Sequence, residues 1–149
     1  ITCRDWSSDV CSSDLHAGDI GDLETAKALA SLKPLRAVYG NIDGTGIRSF
    51  YPLYQEFTCE KVKVLIIHIG GYPGKYSREA RELIDRIKPK LFISGHSHIL
   101  KVMNDHKNGL LHINPGAAGK SGFHQISTIV RFIIDDENIR DLEILEIPK

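Results

Sequence analysis

Apolar and polar positions along this chain follow two different periods. From Leu23 to Leu32 apolar residues recur at helical spacing, and Asp22 stands where a carboxylate can cap the first turn. Pro34 closes that segment. Ser77 to Ile87 is a second predicted helix, with Ala80, Leu83, Ile84 and Ile87 on one face and charges on the other, stopped by Pro89. Elsewhere short apolar runs predict strands at Leu35 to Tyr39, Gln55 to Cys59, Val62 to Ile69 and Lys90 to Ser94. Val62 to His68 is almost continuously apolar, as a strand covered on both faces should be. Gly70 to Gly74 reads as a loop. The remainder is strand-rich: Ile99 to Met103, Leu110 to Ile113, Ser127 to Asp135 and Ile139 to Ile147, with turns at Asp105 to Asn108 and Asp135 to Asn138. Alternating strands and helices followed by hairpins predict an α/β sandwich with parallel and antiparallel pairing.

Residues 1–14 break the pattern. Ser7-Ser8-Asp9 recurs as Ser12-Ser13-Asp14 in a polar stretch with neither period. The expectation is a disordered or non-native leader, followed by one domain over residues 15–149. The first residue is Ile1, and the sole methionine is Met103. A chain of 149 residues, 42% hydrophobic, suits a single domain with a real core. Lys+Arg and Asp+Glu both number 19, so there is no bulk electrostatic reason to expect nucleic acid or an acidic membrane as partner. Cys3, Cys11 and Cys59 fit neither a zinc ribbon nor a disulfide framework, so a reducing, cytoplasmic setting is expected. No apolar run reaches the roughly 20 residues that span a bilayer, and no signal peptide is evident.

The chemistry gathers at strand ends. Gly18-Asp19, Gly40-Asn41-Ile42-Asp43, His68 and Gly95-His96-Ser97-His98 each follow a predicted strand. Ligands of open α/β sheets bind beyond the carboxyl ends of strands, so the four should meet on one rim. Together they offer a carboxylate, an amide oxygen and three imidazoles, a set that suits Mn, Fe, Ni or Zn. A carboxylate can bridge two metals about 3.5–4 Å apart, as in two-metal phosphatases and nucleases. Singly, each motif has a plain structural reading. Gly18-Asp19 could be a turn, Gly40-Asn41 a cap, and His68 a satisfied core histidine. His16 and His112 read as structural, and His106 and His124 as loop residues. Tyr72, Lys75 and Arg48 lie near the rim as phosphate contacts or solvated surface.

In chain order these motifs resemble the calcineurin-like metallophosphoesterases, whose pattern runs D-x-H, G-D, G-N-H-[DE], H and G-H-x-H. The last four match. His-Ala-Gly-Asp, Tyr-Gly-Asn-Ile-Asp and Asn114-Pro115-Gly116-Ala117 are similar to its small single-domain bacterial and archaeal phosphodiesterase branch. The resemblance implies a four-layer α/β/β/α sandwich with two mixed sheets and a dinuclear centre. Asp19 would bridge two divalent ions, Mn foremost, with Ni, Fe or Zn as alternatives. Asn41, His68 and His96 would complete the second metal position, and His98 would join Asp19 at the first. A metal-activated water would attack a small phosphoester, and the metals and the Asn41 amide would stabilise charge on the phosphoryl oxygens.

Two departures stand out. No separate upstream strand ending in D-x-H precedes the run into Gly18-Asp19 (Asp14-Leu15-His16 has the spacing but lies within that run), so the first strand and helix and half of the first metal position are expected to be missing, impairing this chain. Ile42 stands where many relatives place a histidine that protonates the leaving group, while Asp43 reads either as a positioning group or as a turn residue. The competing expectation is a non-catalytic protein-binding scaffold on the same fold. A structural zinc protein is disfavoured, because such sites use Cys and His in closed tetrahedra.

Overall fold

The computed structural model describes residues 2–4, 12–119 and 124–148. Among these, twelve strands and three helices follow in order. They are β1 (Thr2–Arg4), β2 (Ser12–His16), α1 (Leu23–Leu32), β3 (Leu35–Ala37), α2 (Thr45–Phe50), β4 (Tyr54–Cys59) and β5 (Val62–Ile67). Then come β6 (Gly71–Tyr72), β7 (Lys75–Tyr76), α3 (Arg78–Ile87), β8 (Leu91–Ser94), β9 (Leu100–Asp105), β10 (Leu110–Pro115), β11 (Ile126–Asp135) and β12 (Asn138–Pro148).

The strands form two five-stranded sheets, ordered β12-β11-β1-β2-β3 and β4-β5-β8-β10-β9, with β6-β7 a small separate hairpin. Each large sheet mixes parallel and antiparallel pairs: β2 with β3 and β5 with β8 are parallel, whereas β4 with β5 and β11 with β12 are antiparallel. The strand β5 shows why the sandwich has four layers. Val62, Val64 and Ile66 face the other sheet and pack in a cluster with Leu15, Ile113, Val130 and Phe132. The alternate residues Leu65 and Ile67 face outward and pack under α3 against Ala80, Leu83, Ile84 and Ile87. Period-two alternation thus serves two hydrophobic interfaces at once. On the far side, Ala26 of α1 and Ile47 of α2 pack with Ala37 of β3. The α/β/β/α order is therefore borne out.

Local signals set the helix ends. The Asp22 carboxylate accepts from Thr25 N at 2.7 Å, and the Ser77 hydroxyl accepts from Ala80 N at 3.1 Å. Three details correct the sequence reading. The helix α2 was not foreseen: its six residues include β-branched Thr45 and Gly46, and it carries no apolar repeat. Gly70 to Gly74 is not a plain loop, because Tyr72 pairs with Lys75 across Pro73-Gly74. Proline followed by a glycine at φ +87° suits a type II turn. Finally, parts of the expected leader are strand. Thr2–Arg4 pairs in parallel with β11 and antiparallel with β2, in the place left for the strand expected to be missing. Ser12 to Asp14 begin β2. Residues 5–11 of that leader lie outside the described residues.

Candidate metal centre

The carboxyl ends of β2, β3, β5 and β8 open onto one hollow of about 690 Å³, lined by Asp19, Asn41, His68, His96 and His98 among others. The predicted residues therefore reach one rim, two from each sheet's loops and His98 beyond them. His68 is the hinge between the sheets. Its Nδ1 lies 2.6 Å from the Ala17 carbonyl oxygen. Since a carbonyl only accepts, the ring proton sits on Nδ1, and a neutral ring then turns a lone pair at Nε2 toward the hollow. Facing that lone pair are Asn41 Oδ1 at 3.0 Å and Asp19 Oδ2 at 3.3 Å. His96 Nδ1 approaches the same Asn41 oxygen at 2.9 Å.

Two oxygens and two imidazoles thus converge; with its proton on Nδ1, His68 sets an electron-rich nitrogen against both oxygens, while His96 Nδ1 donates to Asn41 Oδ1 in one of its two tautomers. Such a cage is repulsive unless a proton or a cation stands within it. Among the described residues no three His, Cys, Asp or Glu side chains alone form a metal-holding group; the Asn41 amide oxygen bridges the two imidazoles, and Asp19 meets His68 directly. The donor set of Asp19, Asn41, His68 and His96 fits a borderline divalent cation.

Backbone geometry is specialised for this convergence. Asp19, His96 and His98 have φ of 57°, 67° and 58°, in the left-handed region that non-glycine residues seldom enter. Gly18 has φ +92°, and a Cβ there would meet His68 Nδ1 at 2.5 Å. A Cβ at Gly40 would fall on the Asp19 carboxylate. Only glycine lets these loops close on one another.

Asp43 is the clamp of the site. It is 3% exposed and accepts from Gly40 N at 2.7 Å, Gly21 N at 2.8 Å and Ile20 N at 3.2 Å. It ties the Gly-Asp loop to the Gly-Asn loop. Burial pushes its carboxyl upward, but the N–H donors of Gly21, Gly40 and Ile20 outweigh this and hold it below the usual carboxylate range. Arg48 braces the same loop. Its Nε donates to Asp43 O at 2.7 Å, and its guanidinium lies 4.6 Å from the Tyr39 ring centroid.

The other histidines divide. His112 is fully buried, with Nε2 2.9 Å from Ser94 Oγ, in keeping with a structural role. His16 lines the hollow, and burial lowers it from 6.5 to about 4. The His98 ring meets that of His124 edge-on, with centroids 5.8 Å apart. Sequence reasoning set His124 aside, and no local signal links two residues so far apart in the chain.

A family model described as the calcineurin-like phosphoesterase superfamily domain matches residues 7–137. The chain belongs to this superfamily. A relative described as a probable metallophosphoesterase, from Methanothermobacter thermautotrophicus, is 31% identical over 106 residues, covering 69% of this chain and 58% of that protein. The chain therefore spans less than two thirds of the curated relative it matches. Solved structures share the superfamily fold. Vps29 from Entamoeba histolytica complexed with zinc aligns with a TM-score of 0.68 at 17% identity, covering 91% of this chain and 81% of that one. A structure described as a novel archaeal phosphodiesterase aligns with a TM-score of 0.67 at 21% identity, covering 89% and 82%. At these identities the likeness establishes the fold. Among the described residues no helix is long and apolar enough to cross a membrane.

Proposed function

We propose that this chain carries the catalytic body of a metal-dependent phosphoesterase acting on a small phosphodiester or phosphomonoester. The observation that carries the reading is the meeting of His68 and His96 on one Asn41 oxygen, beside Asp19. In this reading Asp19, Asn41, His68 and His96 hold one divalent ion, and Asp19 with His98 contributes to a second. Mn is the first choice, with Ni, Fe or Zn as alternatives. A divalent ion supplies Lewis acidity and makes a water nucleophilic near neutral pH.

The chain's own groups do the rest. The Ala17 carbonyl fixes the His68 tautomer. With Asn41 Oδ1 turned to the imidazoles, the Asn41 NH2 is the donor left for a phosphoryl oxygen as charge builds there. Ile42 is 67% exposed at the rim and carries no proton to give. The reading therefore favours esters whose leaving groups need no protonation, such as aryl esters. The first metal position is the weaker one, because no Asp-x-His from a separate upstream strand completes it and His98 is turned to His124.

The second reading is a non-catalytic scaffold on the same fold. Its support is the apolar rim, where Ile42, Ile69 and Ile99 are 67%, 47% and 61% exposed. Hydrolysis of bis(p-nitrophenyl) phosphate separates the two. The phosphoesterase reading expects Mn- or Ni-dependent release of p-nitrophenol, stronger when an Asp-x-His strand is supplied upstream. No turnover with any divalent metal in that extended version, together with a stable protein partner in pull-down, supports the scaffold.

A further inference from the structure

A second hollow of about 280 Å³ lies beside the metal centre and shares Gly95 and His96 with it. One wall is the β6-β7 hairpin, whose turn presents Tyr72. Lys101 Nζ stands 3.7 Å from the Tyr72 ring centroid, a cation held over an aromatic face. Ile69 and Ile99 line the hollow while remaining 47% and 61% exposed, so apolar surface is left for something to cover. Deeper in, His112 is fully buried and lines the hollow, and its Nδ1 has no hydrogen-bond partner. The phosphoryl chemistry assigned to the neighbouring centre uses none of Tyr72, Lys101, Ile99 or His112.

We propose that this hollow is the subsite for the organic arm of the phosphoester, and that it takes a flat aryl-type group. The inference rests on the phosphoesterase reading for the position of the phosphoryl group. The apolar rim and the Tyr72 ring bury the arm. Lys101 favours its electron-rich face, and His96, shared by both hollows, marks where the arm joins the phosphorus. Adding an aryl group to a phosphoryl ligand should therefore strengthen binding through this hollow alone.

The test compares phenylphosphonate with methylphosphonate by isothermal titration against the Mn-loaded protein. Wild type should prefer the phenyl compound about tenfold, as expected for burying a ring-sized apolar surface. Tyr72→Ala and Lys101→Ala should each reduce that preference toward unity while leaving the methylphosphonate affinity unchanged. Tyr72→Phe should retain it, which separates the ring from any loss of fold. Equal affinity for the two phosphonates in wild type, binding of neither, or a preference that survives both alanine variants overturns the subsite. A preference lost as described in a protein that hydrolyses no ester supports the subsite and counts against the phosphoesterase reading instead.

Discussion

His68 Nδ1 and the Ala17 carbonyl oxygen lie 2.6 Å apart, and this contact ties the end of β5 in one sheet to the end of β2 in the other. It fixes which nitrogen of His68 faces the hollow. It also explains the residue next to Ala17. Gly18 passes so close to the His68 ring that no side chain fits, and it does so at φ +92°.

Gly18→Ala should therefore act twice. The strained backbone should cost about 1–3 kcal/mol of stability. The displaced His68 ring should weaken Mn binding by about 10–100-fold, the range seen when a ligand loses its supporting contact. Urea unfolding and a Mn titration on the same variant check both effects. Wild-type behaviour in both would contradict this account of the loop.

Asp43→Ala should destabilise the fold by roughly 2–4 kcal/mol, because it leaves the buried N–H groups of Ile20 and Gly40, and the part-buried one of Gly21, without their acceptor. The two loops it joins carry Asp19 and Asn41, so metal affinity should fall as well. Asp43→Asn keeps one carbonyl oxygen and should recover part of the stability. Denaturation midpoints for the three proteins order them as wild type, then Asn, then Ala. An Ala variant as stable as wild type would remove the clamp from the account.

Stability should also depend on His112. Burial lowers its pKa from 6.5 to about 4. Between these values the unfolded chain binds a proton that the folded protein refuses, so stability falls as pH drops from about 6.5 to about 4. Below that window this group adds no further loss. The upper bound on the effect is about 3 kcal/mol. In His112→Gln, unfolding free energies measured across this range should vary less with pH than in wild type. An unchanged profile would show that other groups set the dependence.

What the sequence revealed was what local signals encode. The Asp22 and Ser77 caps lie three residues before the N–H groups that donate to them, so both long helices were legible. The doubled burial of β5 was written in its unbroken apolar run. The four strand-end motifs were legible because strand ends in such folds gather on one rim. The helix α2 was hidden because packing of Ile47 against Ala26 and Ala37, not propensity, supports it. Asp43 gave no sign of its role, because its partners Ile20 and Gly21 lie more than twenty residues upstream. The facing of His98 and His124 is likewise a product of the folded sheets. The strand Thr2–Arg4 was obscured by the polar, repetitive stretch that follows it.

If Asp19, Asn41, His68 and His96 together hold a divalent ion, the protein itself must bind Mn through these side chains. A Mn titration followed by electron paramagnetic resonance tests it most directly, on wild type and on the His68→Ala/His96→Ala double variant. Wild type should bind one Mn per chain tightly and a second only weakly, and the double variant should lose at least about 100-fold in affinity at the tight site. No saturable Mn binding by wild type, or a tight site untouched by losing both imidazoles, would contradict it.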